Sequence, residues 1–224
     1  LIDWERGILA VLHQWLGRNG IAAPDGQIME AFAKAEHVCE AETPAALYPD
    51  VLRNVHGRIA RTLGAPSAPA DADALAHSIG DWPPFEDTCT ALIALKRRYK
   101  LVILSNVDRA SFARTNQKLG VSFDAIITAE DVNGYKPAPG HFHRAAGLFD
   151  SWSIRREEWL HVAQSLYHDH VPAKSMGLRT AWINRRHDKS GAGATPTPQH
   201  GVQPDWTVNS LGEFAELVER EFSQ

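Results

Sequence analysis

Cysteine is scarce, with only Cys39 and Cys89 in 224 residues. Two cysteines cannot build a disulfide framework, and their rarity fits a reducing, cytoplasmic setting. Nowhere does the chain hold the roughly 18 consecutive apolar residues of a membrane-spanning helix, and its first residues show no basic-then-apolar leader pattern. Positive charge is not in excess: 23 Lys and Arg stand against 27 Asp and Glu, for a net charge of −4 and a pI near 6.3. That balance gives no electrostatic footprint for nucleic acid. Internal repeats are also missing. What remains is an ordinary globular composition, 44% hydrophobic and 22% charged, in a length that suits one sizeable domain or a core with an inserted smaller one.

The first 83 residues read as helices. Ile8, Leu9, Leu12, Trp15 and Leu16 recur at helical spacing before Gly17 and Gly20. A second helix is expected over 27–41. A third follows Thr43-Pro44, with Thr43 as its cap and Pro44 in its first turn, and runs to Gly64. A Pro/Ala/Asp loop over 65–74 leads into a short helix, and Gly80-Asp81-Trp82-Pro83-Pro84 breaks the chain. Beyond it, short apolar strands at 100–105, 125–128, 159–163 and 180–183 alternate with helices, and 206–208 precedes a C-terminal amphipathic helix. Such alternation predicts an α/β fold, a doubly wound parallel sheet with a Rossmann-like core. Residues 1–83 are the helical subdomain and 84–224 the α/β core. The stretch 187–204 is expected to be a surface loop.

Polar residues at the carboxyl ends of parallel strands line the ligand crevice in such sheets. Ser105 and Asn106 end one strand, Lys136 sits in the loop after the next, and Asp169 follows a third. Each has a plain reading. Ser105-Asn106 can cap a helix, Lys136 can be a solvated loop lysine, and Asp169 or Ser165 can cap the helix after Ala163. Their recurrence on successive strand ends favours a shared anion site, with Asp169 facing Lys136 and each keeping the other ionised. His168 and His170 are two residues apart and point in different directions on a helix, so a metal-binding pair is not expected. His37 and Glu40 lie one turn apart and read as a solvated face, although the crevice is within reach. Arg53, Arg58 and Arg61 likewise read as a solvated helix face, and Cys39 and Cys89 as small buried hydrophobes.

The blocks Ile103-Leu104-Ser105-Asn106, Tyr135-Lys136-Pro137 and Ala163-Gln164-Ser165 with Asp169, followed by 177–185, resemble the second, third and fourth motifs of the haloacid dehalogenase superfamily. Residues 1–8 resemble the sequence just after its first motif. The resemblance implies an inserted helical cap over the α/β core and, within its 2-haloacid dehalogenase branch, a hydrolase that needs no metal or other cofactor. It also implies a nucleophilic aspartate on a strand upstream of Leu1. Ser105, Asn106 and Ser165 would hold a small carboxylate substrate, Lys136 would counter the nucleophile's charge, and Asp169 would orient Lys136 or help activate water. A homodimer is a further implication. Two departures are visible: Phe142 stands where the haloacid enzymes carry a tyrosine, and Ala33, Lys34 and Glu36 occupy the stretch where their cap supplies an arginine. Gln164 stands where the superfamily's phosphatases carry a magnesium-binding aspartate, which lowers the expected magnesium affinity. The competing expectations are a phosphatase that tolerates this loss and a catalytically silent binding protein on the same fold.

Overall fold

A computed structural model describes residues 1–189, 191 and 193–222. The chain opens with four helices: α1 (Trp4–Arg18), α2 (Asp25–Glu42), α3 (Tyr48–Leu63) and α4 (Pro69–Ser78), followed by a short turn of 3₁₀ helix at Ile79–Asp81. Asp3 caps α1 by accepting from the Arg6 amide at 3.1 Å. Ile8, Leu12, Trp15 and Leu16 are buried on one face of α1, each such side chain contributing roughly 1.5–3 kcal/mol.

Between α2 and α3 the sequence expectation needs correction. Thr43 does not start α3. It closes α2, its amide and hydroxyl both donating to the Cys39 carbonyl at 3.0 and 2.8 Å. Helix α3 begins five residues later, with Leu47 in the capping position and Pro49 supplying the first-turn proline. A proline next to a hydroxyl residue marks a boundary but not its direction, and here Thr43 satisfies an orphan carbonyl rather than an orphan amide. Gly64, at φ +66°, ends α3 in the left-handed conformation that glycine adopts without cost.

The remaining chain carries every named strand. In order come α5 (Thr88–Lys96), β1 (Val102–Ser105), α6 (Arg109–Asn116), β2 (Ala125–Thr128), α7 (Ala129–Val132), α8 (Gly140–Ser151), β3 (Leu160–Ala163), α9 (Val171–Ser175), β4 (Arg179–Ile183), β5 (Trp206–Val208) and α10 (Leu211–Glu221). All strand pairs are parallel: β1 with β2, in register Val102↔Ala125 to Ser105↔Thr128, and the order β3-β4-β5, with Ala163↔Trp182 and Ala181↔Trp206. The fold is α/β with a Rossmann-like core.

Among the described residues the two sheets are not hydrogen-bonded to each other. A cavity of about 620 Å³ lies between them, walled by Val102, Ile103 and Leu104 of β1 and by Leu160, Val162 and Ala163 of β3. These strands are neither fully buried nor exposed, unlike the central strands of a closed parallel sheet.

Four-residue strands leave little room for error in a sequence-based boundary, and β2 falls at the expected residues. The helix expected after Ala163 is split: Leu166–His170 winds as a π-helix and α9 follows it. The stretch 187–204 is mostly turns and bends, but Ala194 is buried and reaches the cavity wall, so the segment is not wholly superficial. Ser190 and Ala192 of that stretch lie outside the described residues. Among the described residues no helix is long and apolar enough to cross a membrane.

Candidate active site

The carboxyl ends of β1, β2 and β3 deliver the expected residues to one place. Lys136 is 6% exposed. Its ammonium donates to the Leu104 carbonyl and to Asp169 Oδ1, each at 2.7 Å. His161, from β3, meets the same Asp169 oxygen through Nε2 at 3.1 Å. Burial opposes ionisation of Asp169, but Lys136 and His161 outweigh it and hold the carboxyl far below the usual carboxylate range. The π-helix places this carboxylate. Ser165 accepts from the His168 amide at 3.0 Å, and the wide turn carries Asp169 back under Lys136. Of the two roles weighed for Ser165, the structure displays the capping one, while the residue also lines the cavity.

Asn106 does not cap a helix. Asp108 does that, accepting from the Ser111 amide at 2.9 Å. The Asn106 side chain instead ties the Lys136 loop to the strand end: Oδ1 accepts from the Lys136 amide at 2.7 Å, and Nδ2 donates to the Lys136 carbonyl at 3.1 Å. Ser105 lines the cavity beside it. The lysine is thus fixed at its backbone and at its tip by the same strand end.

Two histidines brace these strand ends. His141 Nε2 lies 3.0 Å from the Ser105 carbonyl, and His170 Nε2 lies 3.1 Å from that of Ala163. A carbonyl only accepts, so each imidazole donates its Nε2 proton. Burial, reinforced by Lys136, lowers the His141 pKa to about 4. His170 meets the Ala163 carbonyl, whereas the His168 ring packs edge-on against Tyr167. Trp182 Nε1 donates to the Gln164 carbonyl at 2.8 Å, holding the turn from the neighbouring strand.

The helical layer supplies groups that the sequence reading placed elsewhere. Glu40 is not solvated: it is 6% exposed, with Oε1 3.3 Å from Asn106 Nδ2. Glu36, 3% exposed, accepts from the Tyr48 hydroxyl. Burial raises the Glu36 pKa to about 7. Burial and the neighbouring Glu36 push Glu40 well above the carboxylate range, against the pull of Asn106 and Lys136. A faint signal existed, since Phe32, Glu36 and Glu40 follow one another at four-residue steps along a buried face. His161 had no such signal. His37, by contrast, is exposed, and Arg53 and Arg58 pair with Asp50, Asp73 and Glu42 on the surface, as a solvated face should.

A magnesium ion is poorly matched here. The Asp169 oxygen in reach is already engaged by Lys136 and His161, and Gln164 offers a neutral amide where a hard cation favours a carboxylate. Phe142, fully buried, stacks on Trp159 with ring centroids 6.2 Å apart and packs on His161 at 4.9 Å, so it serves the wall behind Asp169.

A family profile described as haloacid dehalogenase-like hydrolase matches residues 50–163. Among curated relatives, the (S)-2-haloacid dehalogenase of Pseudomonas putida is 30% identical over 135 residues, which cover 57% of this chain and 58% of that protein. The Pyrimidine 5'-nucleotidase YjjG of Escherichia coli (strain K12) is 26% identical over 137 residues, covering 60% and 56%. The chain thus spans little more than half the length of the curated relatives it matches. The L-2-haloacid dehalogenase structure from Xanthobacter autotrophicus superposes with a TM-score of 0.77 at 21% identity, covering 98% of this chain and 94% of that one. At that identity the likeness is one of fold.

Proposed function

The chain belongs to the haloacid dehalogenase-like hydrolases, and on that footing we propose that it hydrolyses small 2-haloacids without a metal. The observation that carries the proposal is the Lys136 ammonium, fixed between a strand-end carbonyl and a buried carboxylate at the rim of the cavity. Two of its three protons are engaged by those partners, and the third is available to a reacting carboxylate or its substrate.

In the proposed reaction an aspartate carboxylate attacks C2 of the substrate. The carbon–halogen bond breaks and halide leaves with its electron pair, forming an ester with the enzyme. Water then adds at the aspartyl carbonyl, releasing the 2-hydroxyacid and restoring the carboxylate. We assign the nucleophile to a strand seated in the cavity between β1 and β3. Among the described residues the facing edges of those strands are unpaired and suit a parallel guest strand, whose carboxyl end would emerge beside Lys136. Ser105 and Asn106 hold the substrate carboxylate, Lys136 balances the nucleophile's charge, and Asp169, buttressed by His161, aims Lys136. Fixed donors of this kind commonly supply the largest part of the barrier reduction. A cytoplasmic homodimer completes the proposal, in keeping with free Cys39 and Cys89.

Incubation of the protein with 2-chloropropionate in the presence of chelator is expected to release chloride at an undiminished rate. Absence of halide from every short haloacid overturns the proposal. A second reading, phosphate monoester hydrolysis, draws on the likeness to the YjjG nucleotidase. Magnesium-dependent turnover of phosphate monoesters would establish it instead, against the weight of Gln164 and the engaged Asp169.

A further inference from the structure

His141 lies in the first turn of α8, fully buried, with Phe142 and Ala145 on the same buried face. Its Nε2 donates to the Ser105 carbonyl at 3.0 Å, and its Nδ1 is buried with no hydrogen-bond partner among the described residues. A ring held this way has one place for its proton. Moving it to Nδ1 would strand the Ser105 carbonyl and bury an N–H with nothing to accept it.

The carbonyl that His141 takes belongs to a peptide with a second side. Neighbouring carbonyls along a strand point to opposite edges. Those of Leu101 and Val107 accept from the Asp124 and Ala129 amides, on the side of β2. Leu104, one residue before Ser105, turns to the other edge, where Lys136 Nζ meets it at 2.7 Å. Ser105 therefore presents its carbonyl to the β2 side, where the Ala129 amide is already engaged by Val107, and His141 supplies the donor instead. A trans peptide sets its N–H antiparallel to its C=O. Holding the Ser105 carbonyl on the β2 side thus aims the Asn106 N–H to the Lys136 side. That amide has no acceptor among the described residues, and Asn106 lines the cavity together with Lys136. It also lies past the Leu104 carbonyl, which Lys136 occupies, so a guest strand paired with β1 leaves it open.

We infer that His141 is a positioning residue for anion binding: by holding the Ser105 carbonyl it fixes the Asn106 N–H beside the Lys136 ammonium, so that the two donors receive one carboxylate. This deepens the proposal above and rests on it only in placing the substrate carboxylate at this strand end. His141 itself touches no substrate. An amide already aimed loses no orientational freedom when the anion arrives, whereas one free to turn away must first be ordered.

Propionate serves as an unreactive probe, so binding is read apart from chemistry. In calorimetric titration of the full chain, His141→Leu, which keeps the bulk and loses the donor, is expected to weaken propionate binding about tenfold, as loss of one hydrogen bond to a charged group does. His141→Gln, whose side-chain amide can replace the Nε2 proton, should return to within about threefold of the unmodified protein. Amide spectra carry a readout that a packing role would not give. Propionate should shift the Asn106 N–H resonance downfield in the unmodified protein and in His141→Gln, and leave it unmoved in folded His141→Leu. Ring-nitrogen shifts of the unmodified protein need no variant and should show Nε2 protonated and Nδ1 bare. Should His141→Leu not fold, His141→Asn, too short to reach the Ser105 carbonyl, takes its place. A proton on Nδ1, an Asn106 resonance that ignores propionate, equal binding by the unmodified protein and the donor-free variant, no recovery in His141→Gln, or no binding at all overturns the inference. Chloride release from 2-chloropropionate reports separately on the reaction, where loss of uniform binding should raise KM about tenfold in His141→Leu and change kcat less than about threefold. Propionate binding that depends on His141 without halide release supports His141 and sinks dehalogenation, whereas halide release with an unaltered KM in His141→Leu sinks His141 alone.

Discussion

Lys136 and Asp169 depend on each other more than either depends on solvent. Removing one partner of a buried ion pair leaves the other uncompensated, at a cost of roughly 3–5 kcal/mol. Lys136→Met is therefore expected to lower the urea midpoint and, per folded molecule, to cut kcat for the proposed halide release by about 10²–10³-fold, the range seen when one preorganised donor is lost. Steady-state rates normalised to folded protein by circular dichroism check this, and full activity refutes the assigned role. The acid groups respond to pH in opposite senses. Asp169 has a depressed folded-state pKa, so its contribution is present above its unfolded value near ~3.9 and is lost as pH falls through the folded one. Glu36 has a raised one, and its stabilising effect is complete below the ordinary 4.5 and is lost as pH rises through about 7. At about 1.4 kcal/mol for each pKa unit, that loss approaches roughly 3 kcal/mol. Glu36→Gln should accordingly flatten the decline in stability between pH 5 and 8, as read by urea unfolding at four pH values; an unchanged slope contradicts the buried acid.

Single elements carry their own tolerances. Helix α1 meets Trp82 so closely at Gly7 that an added Cβ would lie 2.2 Å from the indole Cγ. Gly7→Ala should destabilise the protein by about 1–3 kcal/mol despite the better helix propensity of alanine, and a midpoint in urea at or above that of the unmodified protein would refute the contact. The sequence declares most elements because local chemistry ends them: Gly64 stops α3, and the apolar runs 102–104 and 125–127 leave little choice but strand. It fails where a signal has two meanings. Thr43-Pro44 fits the start of a helix as well as the end of one, and the later Pro49 settles the matter only once α2 is seen to consume Thr43. The π-helix at Leu166–His170 has no periodic signature, since it arises from Ser165 capping His168 while Asp169 is drawn toward a lysine thirty-three residues away.

Across the whole molecule, Ser105, Asn106, Lys136 and Asp169 were legible because strand ends of a parallel sheet must converge. Glu36 and Glu40 left only the faint four-residue step along the buried face of α2, and His161 left none, because their positions depend on how the helical layer and β3 pack.

The anchors around the cavity rim come from three separate elements: the end of β1 at Ser105, the loop bearing Lys136, and helix α2 at Glu40. Asn106, next to Ser105, is hydrogen-bonded to the other two, and the three do not lie along one chain direction. A rim of that kind is handed. If the 2-haloacid proposed above is held by groups from all three, its two mirror forms present the fourth substituent to opposite sides, so unequal chloride release from the two enantiomers of 2-chloropropionate is the expected outcome.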